Sequence, residues 1–218
     1  MHSRKRGLQI CVKCGKCSGI ERNTIVFWCP DNGAEARRPW RGTAGPWSGF
    51  YNTIMEGGIR TPCLIRWPGR ITAGQVSNEL VHEIDFFPTI AAMVGADIVP
   101  KDRPIDGINQ LPFLEGKQKR SNREHVLLFT GGTDVRAVKW HDWKLHYAFQ
   151  PEPGQPPVPP LMRLFNLRSD PREETDVKDF NAWAIGVMDR LVEEFKGSAQ
   201  KFPHVPPGAP DPYVPPGR

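Results

Sequence analysis

The sequence predicts an α/β protein in two unequal parts. Short strands with a helix occupy residues 20–120, and an antiparallel sheet of about four strands covered by one helix occupies residues 121–200. Three observations carry that expectation. Apolar, β-branched runs at 23–29 and 62–67 each end in turn residues, Pro-Asp-Asn-Gly and Pro-Gly, in the manner of buried parallel-type strands. Four further strand-like runs follow at 124–130, 134–140, 143–149 and 161–167. A stripe of Ala184, Val187, Met188, Leu191, Val192 and Phe195 then lies at helical spacing within 182–200.

The composition agrees. With 218 residues the chain is long enough to bury a core. Its 23 Pro and 21 Gly exclude a coiled coil or helical bundle and require many turns. No apolar run approaches the roughly 20 residues of a membrane span, so no membrane partner is expected. Residues 1–70 carry 12 Lys and Arg against 4 Asp and Glu, whereas the remainder carries 17 against 20. A basic front half fits an anionic partner such as nucleic acid, phosphate or sulfate, or else a solvated face behind a basic leader.

Residues 1–19 are expected to be a disordered leader or an artefact of the gene model. Cys11, Cys14 and Cys17 have metal-ligand spacing on one side, with His2 a weak fourth ligand, but no second Cys pair follows to close a zinc site. The first strand, 23–29, feeds the turn Pro30-Asp31-Asn32-Gly33. Residues 33–53 have no sustained period and predict a long loop. Over 79–96 the spacing predicts a helix with Asp85 as N-cap, Pro88 in its first turn and Gly95 as its stop. His82, near that helix start, is expected to be packed. In the second part, 134–140 and 143–149 flank His141-Asp142 as a hairpin. The proline run at 151–160 predicts a stiff connector, and the proline-rich tail at 201–218 an extended strap.

Two features could carry chemistry. Asp31 and Asn32 stand at a strand's carboxyl end, where α/β sheets bind ligands. A carboxylate beside an amide offers two hard oxygen ligands suited to Ca²⁺ or Mg²⁺, although Asp-Asn-Gly is equally a common turn. The second feature is Glu56-Gly57-Gly58-Ile59-Arg60, where two glycines permit close backbone approach and Glu56 and Arg60 are spaced to pair as a structural salt bridge. GxSxG, P-loop and HExxH motifs are absent.

Six strings in order over residues 20–200 resemble the C-terminal half of type I sulfatases (arylsulfatases), of the alkaline-phosphatase-like superfamily: GIERNTIVFWCPDNGAE, MEGGIRTPCLIRWPGRI, VHEIDFFPTIAAMVGA, PIDGI with LPFLEGK, RAVKWHDWKLHY and LFNLRSDPREETDV. The resemblance implies a fold in which residues 20–120 are the C-terminal part of the catalytic domain, with a partial alkaline-phosphatase-like sheet, and 121–200 the antiparallel subdomain. It implies hydrolysis of a sulfate ester by a formylglycine nucleophile beside a Ca²⁺ ion, with Asp31 and Asn32 matching the family's second metal-binding pair. Nucleic acid is then no partner.

The chain also departs from the family pattern. The C/S-x-P-x-R motif that yields formylglycine is absent, and so is the first pair of metal aspartates. Cys29 precedes Pro30 but belongs to the Asp-Asn-Gly strand, so no catalytic nucleophile is assigned. The lysine that usually precedes the Glu-Gly-Gly motif has Tyr51 as its ungapped counterpart. The expectation is therefore a truncated, inactive member with a partial Ca²⁺ site. The alternatives are a phosphatase or phosphonate hydrolase of the same superfamily, or a non-enzymatic anion- or zinc-binding protein acting through its basic, Cys-rich leader. Asp31-Asn32 favours the single-calcium site, since two-metal phosphatases need more carboxylate and histidine ligands.

Overall fold

The computed structural model describes residues 18–36, 42–129, 134–149, 162–203 and 208–209. The Cys11, Cys14, Cys17 and His2 cluster, the proline run and most of the tail lie outside the described residues.

The first part is built around a small two-stranded sheet. Strand β1 (Val26–Trp28) pairs with β2 (Leu64–Arg66) in antiparallel register, with Phe27 opposite Ile65. Parallel, fully buried strands were expected here. The two strands instead run opposite ways and are only half covered, and Leu64 is 53% exposed. The apolar runs are each other's partners, so their composition reports burial but not direction. Arg66 also pairs with Glu21, tying β2 to the 3₁₀ turn Glu21–Asn23.

Between these strands lies the turn α1 (Glu56–Ile59), which is helical for only four residues. After β2 the chain reaches a 3₁₀ turn at Glu83–Asp85 and helix α2 (Phe86–Val94). Gly95 ends α2 in the left-handed region at φ 68°, and its N–H reaches the Ala91 and Ala92 carbonyls, as its place after the last apolar residue predicts. The predicted N-cap holds in position, with α2 starting at Phe86 directly after Asp85. The Asp85 side chain, however, makes no cap bond to α2. Its Oδ2 accepts instead from the His82 backbone N–H at 2.9 Å, and its Oδ1 from that of Ile108 at 2.8 Å. The buried Arg123 guanidinium donates to both oxygens, at 2.9 Å from Nε to Oδ2 and 2.5 Å from Nη2 to Oδ1. A distant cation thus recruits the carboxylate that sequence spacing assigns to a helix end. His82 is half-buried, and its Nδ1 accepts from the Ile84 N–H, so it is a packed cap as expected.

The short helix α3 (Leu111–Leu114) leads into the second part. There β3 (His125–Phe129), β4 (Val135–Trp140), β5 (Trp143–His146) and β6 (Arg163–Asn166) form one antiparallel sheet in sequence order. The β4–β5 hairpin turns at His141-Asp142, with His141 at φ 49°. Helix α4 (Ala182–Lys201) covers one face. Ala184, Met188 and Val192 pack on Val138, Leu145 and Leu164, and Phe195 meets Phe129 at 5.4 Å between ring centroids. The predicted stripe is therefore core. Among the described residues no helix is long and apolar enough to cross a membrane.

The opposite face of this sheet is covered by the first part of the chain. Ile54 packs with Val126, Leu128 and Ala137, and Met55 with Phe149, Phe165 and Leu167. Alternation along each strand sends Val138, Leu145 and Leu164 to α4 and sends Ala137, Lys139, Lys144, His146 and Phe165 towards residues 54–56.

Candidate functional site

The site begins where β1 ends. Asp31 is exposed, Asn32 is half-buried and Gly33 is buried. Asp31 makes no hydrogen bond or ion pair with the described residues. Asn32 donates its Nδ2 to the Gly33 carbonyl at 2.8 Å, which leaves Oδ1 as the ligand end of its amide. An unpaired carboxylate and an amide oxygen at adjacent positions are a hard-oxygen set that fits Ca²⁺. They are also only part of a shell. Among the described residues no three His, Cys, Asp or Glu side chains converge as a metal site.

Backbone contact holds this loop in place. The Gly33 N–H donates to the Gly58 carbonyl at 2.9 Å, and Tyr51 N–H to the Ala34 carbonyl at 2.8 Å. A Cβ at residue 33 would collide with the Gly57 carbonyl oxygen, so only glycine allows the two chains to meet. Gly57 is equally confined: its N–H donates to the Ser48 carbonyl at 2.7 Å. The Asp-Asn-Gly loop therefore rests on the Glu-Gly-Gly turn.

That turn is anchored in turn by a buried ionic cluster. Glu56 is fully buried, with Oε2 accepting from Lys139 Nζ at 2.6 Å and Oε1 from Lys144 Nζ at 3.1 Å. Lys144, also fully buried, donates to the Ile54 carbonyl at 2.6 Å and lies 2.9 Å from Glu173 Oε1. Glu173 accepts the Glu56 backbone N–H at 2.7 Å and lies 2.7 Å from His146 Nε2. Arg60 also pairs with Glu56 as expected, at 3.6 Å, but from a partly exposed position. Glu173 is held at φ 58°, a left-handed conformation that an L residue adopts only when its surroundings impose it.

The charges balance, and this sets the protonation states. Burial pushes the Glu56 carboxyl up, but the Lys144 and Lys139 ammonium groups outweigh it and hold it at about 2. Burial likewise opposes ionisation of Glu173, but Lys144, His146 and the Glu56 N–H hold it below the usual carboxylate range. Burial pushes Lys139 down while Glu56 opposes the shift. Burial keeps His146 neutral against the pull of Glu173, so its Nε2 carries the proton that faces the carboxylate. Its Nδ1 is buried with no partner among the described residues.

A pH dependence of stability follows. Glu56 has its folded pKa depressed from 4.5 to about 2, so its stabilisation is complete above about 4.5 and is lost as pH falls towards 2. His146 is also depressed, from 6.5, so the unfolded chain takes up its proton first and stability declines below about 6.5. Both slopes have one sign. Urea midpoints should fall steadily from pH 7 to pH 4 and steepen below about 4.5, where the Glu56 contribution, on the order of 3 kcal/mol in full, begins to go.

The sequence marks Asp31 and Asn32 as candidates and the Glu56–Arg60 pair, which is present, but not Lys139, Lys144, His146 or Glu173. One signal was available. The hairpin places Lys139 directly opposite Lys144 on a single face. Like charges in that position repel unless a carboxylate lies between them.

The family model described as N-sulphoglucosamine sulphohydrolase, C-terminal, matches residues 47–201, most of the chain. The chain belongs to the sulfatase family. Human arylsulfatase D is 34% identical over 187 residues, covering 72% of this chain and 31% of that protein. Human steryl-sulfatase is 30% identical over 222 residues, covering 86% and 37% respectively. Among solved structures, the PsFucS1 sulfatase from Pseudoalteromonas sp. superposes with a TM-score of 0.79 at 28% identity, over 91% of this chain and 42% of that one. The chain thus spans about a third of the length of these curated sulfatases.

Proposed function

We propose that this chain supplies the C-terminal part of a sulfate-ester hydrolase, and that Asp31 and Asn32 form one edge of its Ca²⁺ site. The observation that carries the reading is the exposed Asp31 carboxylate just past the end of β1, unpaired among the described residues, on a loop that glycine-only backbone contact seats against the anchored Glu-Gly-Gly turn.

A sulfate ester is an anion, and its cleavage places further negative charge on the leaving oxygen. The protein's task is therefore to position the ester and supply compensating charge. Asp31 and Asn32 would hold the cation through oxygen atoms. Gly33 and Gly57 set their position, because no flexible side chain intervenes between the loop and the turn. When bound, Ca²⁺ would supply positive charge to the sulfate oxygens. The formylglycine nucleophile and the remaining ligands have no counterparts within residues 1–218, which lack a C/S-x-P-x-R string.

Purified residues 1–218 with Ca²⁺ and a chromogenic aryl sulfate should accordingly release no more product than buffer, since loss of a covalent nucleophile alone removes orders of magnitude in rate. A chimera joining residues 20–218 to a relative's N-terminal part, which brings the nucleophile motif and the first aspartate pair, should cleave the aryl sulfate in preference to the matching aryl phosphate. Preferential cleavage of the phosphate would move the assignment to the phosphatase reading. Turnover by the isolated chain would require a different nucleophile within it.

A further inference from the structure

Two cysteines that the sulfatase reading leaves unused face one another across the first sheet. In the β1–β2 register Val26, Phe27 and Trp28 lie opposite Arg66, Ile65 and Leu64, so the next pair is Cys29 opposite Cys63. Residues directly opposite in an antiparallel pair have Cα atoms about 4.5–5.5 Å apart, within the roughly 4.4–6.8 Å that a disulfide spans. The period of two turns both side chains to the face of Phe27, whose ring meets Phe86 at 5.1 Å. The two thiols interact with each other, and the Glu83 carboxylate, just before α2, acts on both. Both cysteines are free, Cys63 exposed and Cys29 half-buried.

We propose that Cys29 and Cys63 are a thiol–disulfide site, closed by exchange with a low-molecular-weight disulfide into a cross-strand bond at the base of the Asp31–Asn32 loop. The exchange begins at Cys63, the more exposed thiol. It gives its proton to solvent and attacks one sulfur of the reagent, breaking the reagent's S–S bond and releasing one thiolate. Cys29, likewise deprotonated, attacks the Cys63 sulfur of the mixed disulfide and expels the second thiolate. Two electrons pass from the cysteine pair to the reagent, and the two expelled thiolates take up the protons. Exchange runs through the thiolate, so it quickens as pH rises. The bond would join residues 34 positions apart and fasten the strand end that carries Asp31 to the start of β2. It does not depend on whether that loop binds Ca²⁺.

The test uses purified residues 1–218 incubated with oxidised glutathione at mildly alkaline pH without Ca²⁺, then alkylated, digested without reduction and mapped by mass spectrometry. The expected product is a peptide joining Cys29 to Cys63, about 2 Da lighter than its two free peptides and at least about tenfold more abundant than any link to Cys11, Cys14 or Cys17. In urea that preference should vanish. Glutathione left on Cys63 with Cys29 alkylated, or a native-state spread of links matching the one in urea, would overturn the proposal. The Cys29→Ser chain should keep glutathione on Cys63; conversion of that mixed disulfide to a peptide link between Cys63 and another cysteine, as fast as in the parent, would equally contradict the pairing.

Discussion

Replacing Lys144 by methionine is expected to destabilise the protein by about 3–5 kcal/mol, because it strips a buried cation from two buried carboxylates. Lys144 Nζ lies 3.1 Å from Glu56 Oε1, 2.9 Å from Glu173 Oε1 and 2.6 Å from the Ile54 carbonyl, and no solvent reaches any of the three side chains involved. Methionine fills nearly the same volume, so packing is kept while the charge is lost. Lys139 remains beside Glu56 but does not pair with Glu173, which is left with His146 and the Glu56 N–H. The measurement is urea denaturation of Lys144→Met against the parent. Adding Glu56→Gln and Glu173→Gln should recover part of the loss, since it removes the charges that Lys144 had neutralised. A single-variant effect below about 1 kcal/mol would mean that the cluster is hydrated and does not anchor the Glu-Gly-Gly turn.

The elements legible in the sequence are those whose signal is local. Helix α4 follows from a stripe that repeats over several turns, and the β4–β5 hairpin from alternating runs around His141-Asp142. Gly95 is recognisable because a helix end needs a left-handed residue. The features that escaped depend on partners far away in the chain. Asp85 has the right residue type and place for an N-cap, but Arg123, 38 residues on, offers a charged bidentate partner, and a single cap bond does not compete with it. The direction of β1 against β2 cannot be read from two apolar runs of similar composition.

The same division runs through the candidate site. Asp31 and Asn32 announce themselves as a carboxylate and an amide at a strand end, and the two glycines after Glu56 announce a close approach. What they approach, the Gly33 backbone, appears only when the chain is folded. The Glu56–Arg60 pair is expected within the Glu-Gly-Gly motif and present, but Arg60 proves the lesser partner. Lys139 and Lys144 lie closer and are buried, Lys144 completely, brought there from strands more than 80 residues away.

The chimera with a relative's N-terminal part allows the proposed role of Asp31 as a ligand to Ca²⁺ to be measured. An anionic ligand lost from the shell weakens cation binding and leaves sulfate charge uncompensated where water is excluded, so rate and metal affinity should fall together. Asp31 is exposed and makes no bond to the described residues, so Asp31→Ala removes no fold contact, and its circular dichroism should match the parent's. The decisive measurement is the initial rate of sulfate release by the chimera and by its Asp31→Ala form across a Ca²⁺ titration. The expected result is a loss of more than about 100-fold at the parent's half-saturating Ca²⁺, with any residual activity requiring more Ca²⁺. Superimposable titration curves for the two proteins would contradict it and return Asp31-Asn32-Gly33 to an ordinary turn.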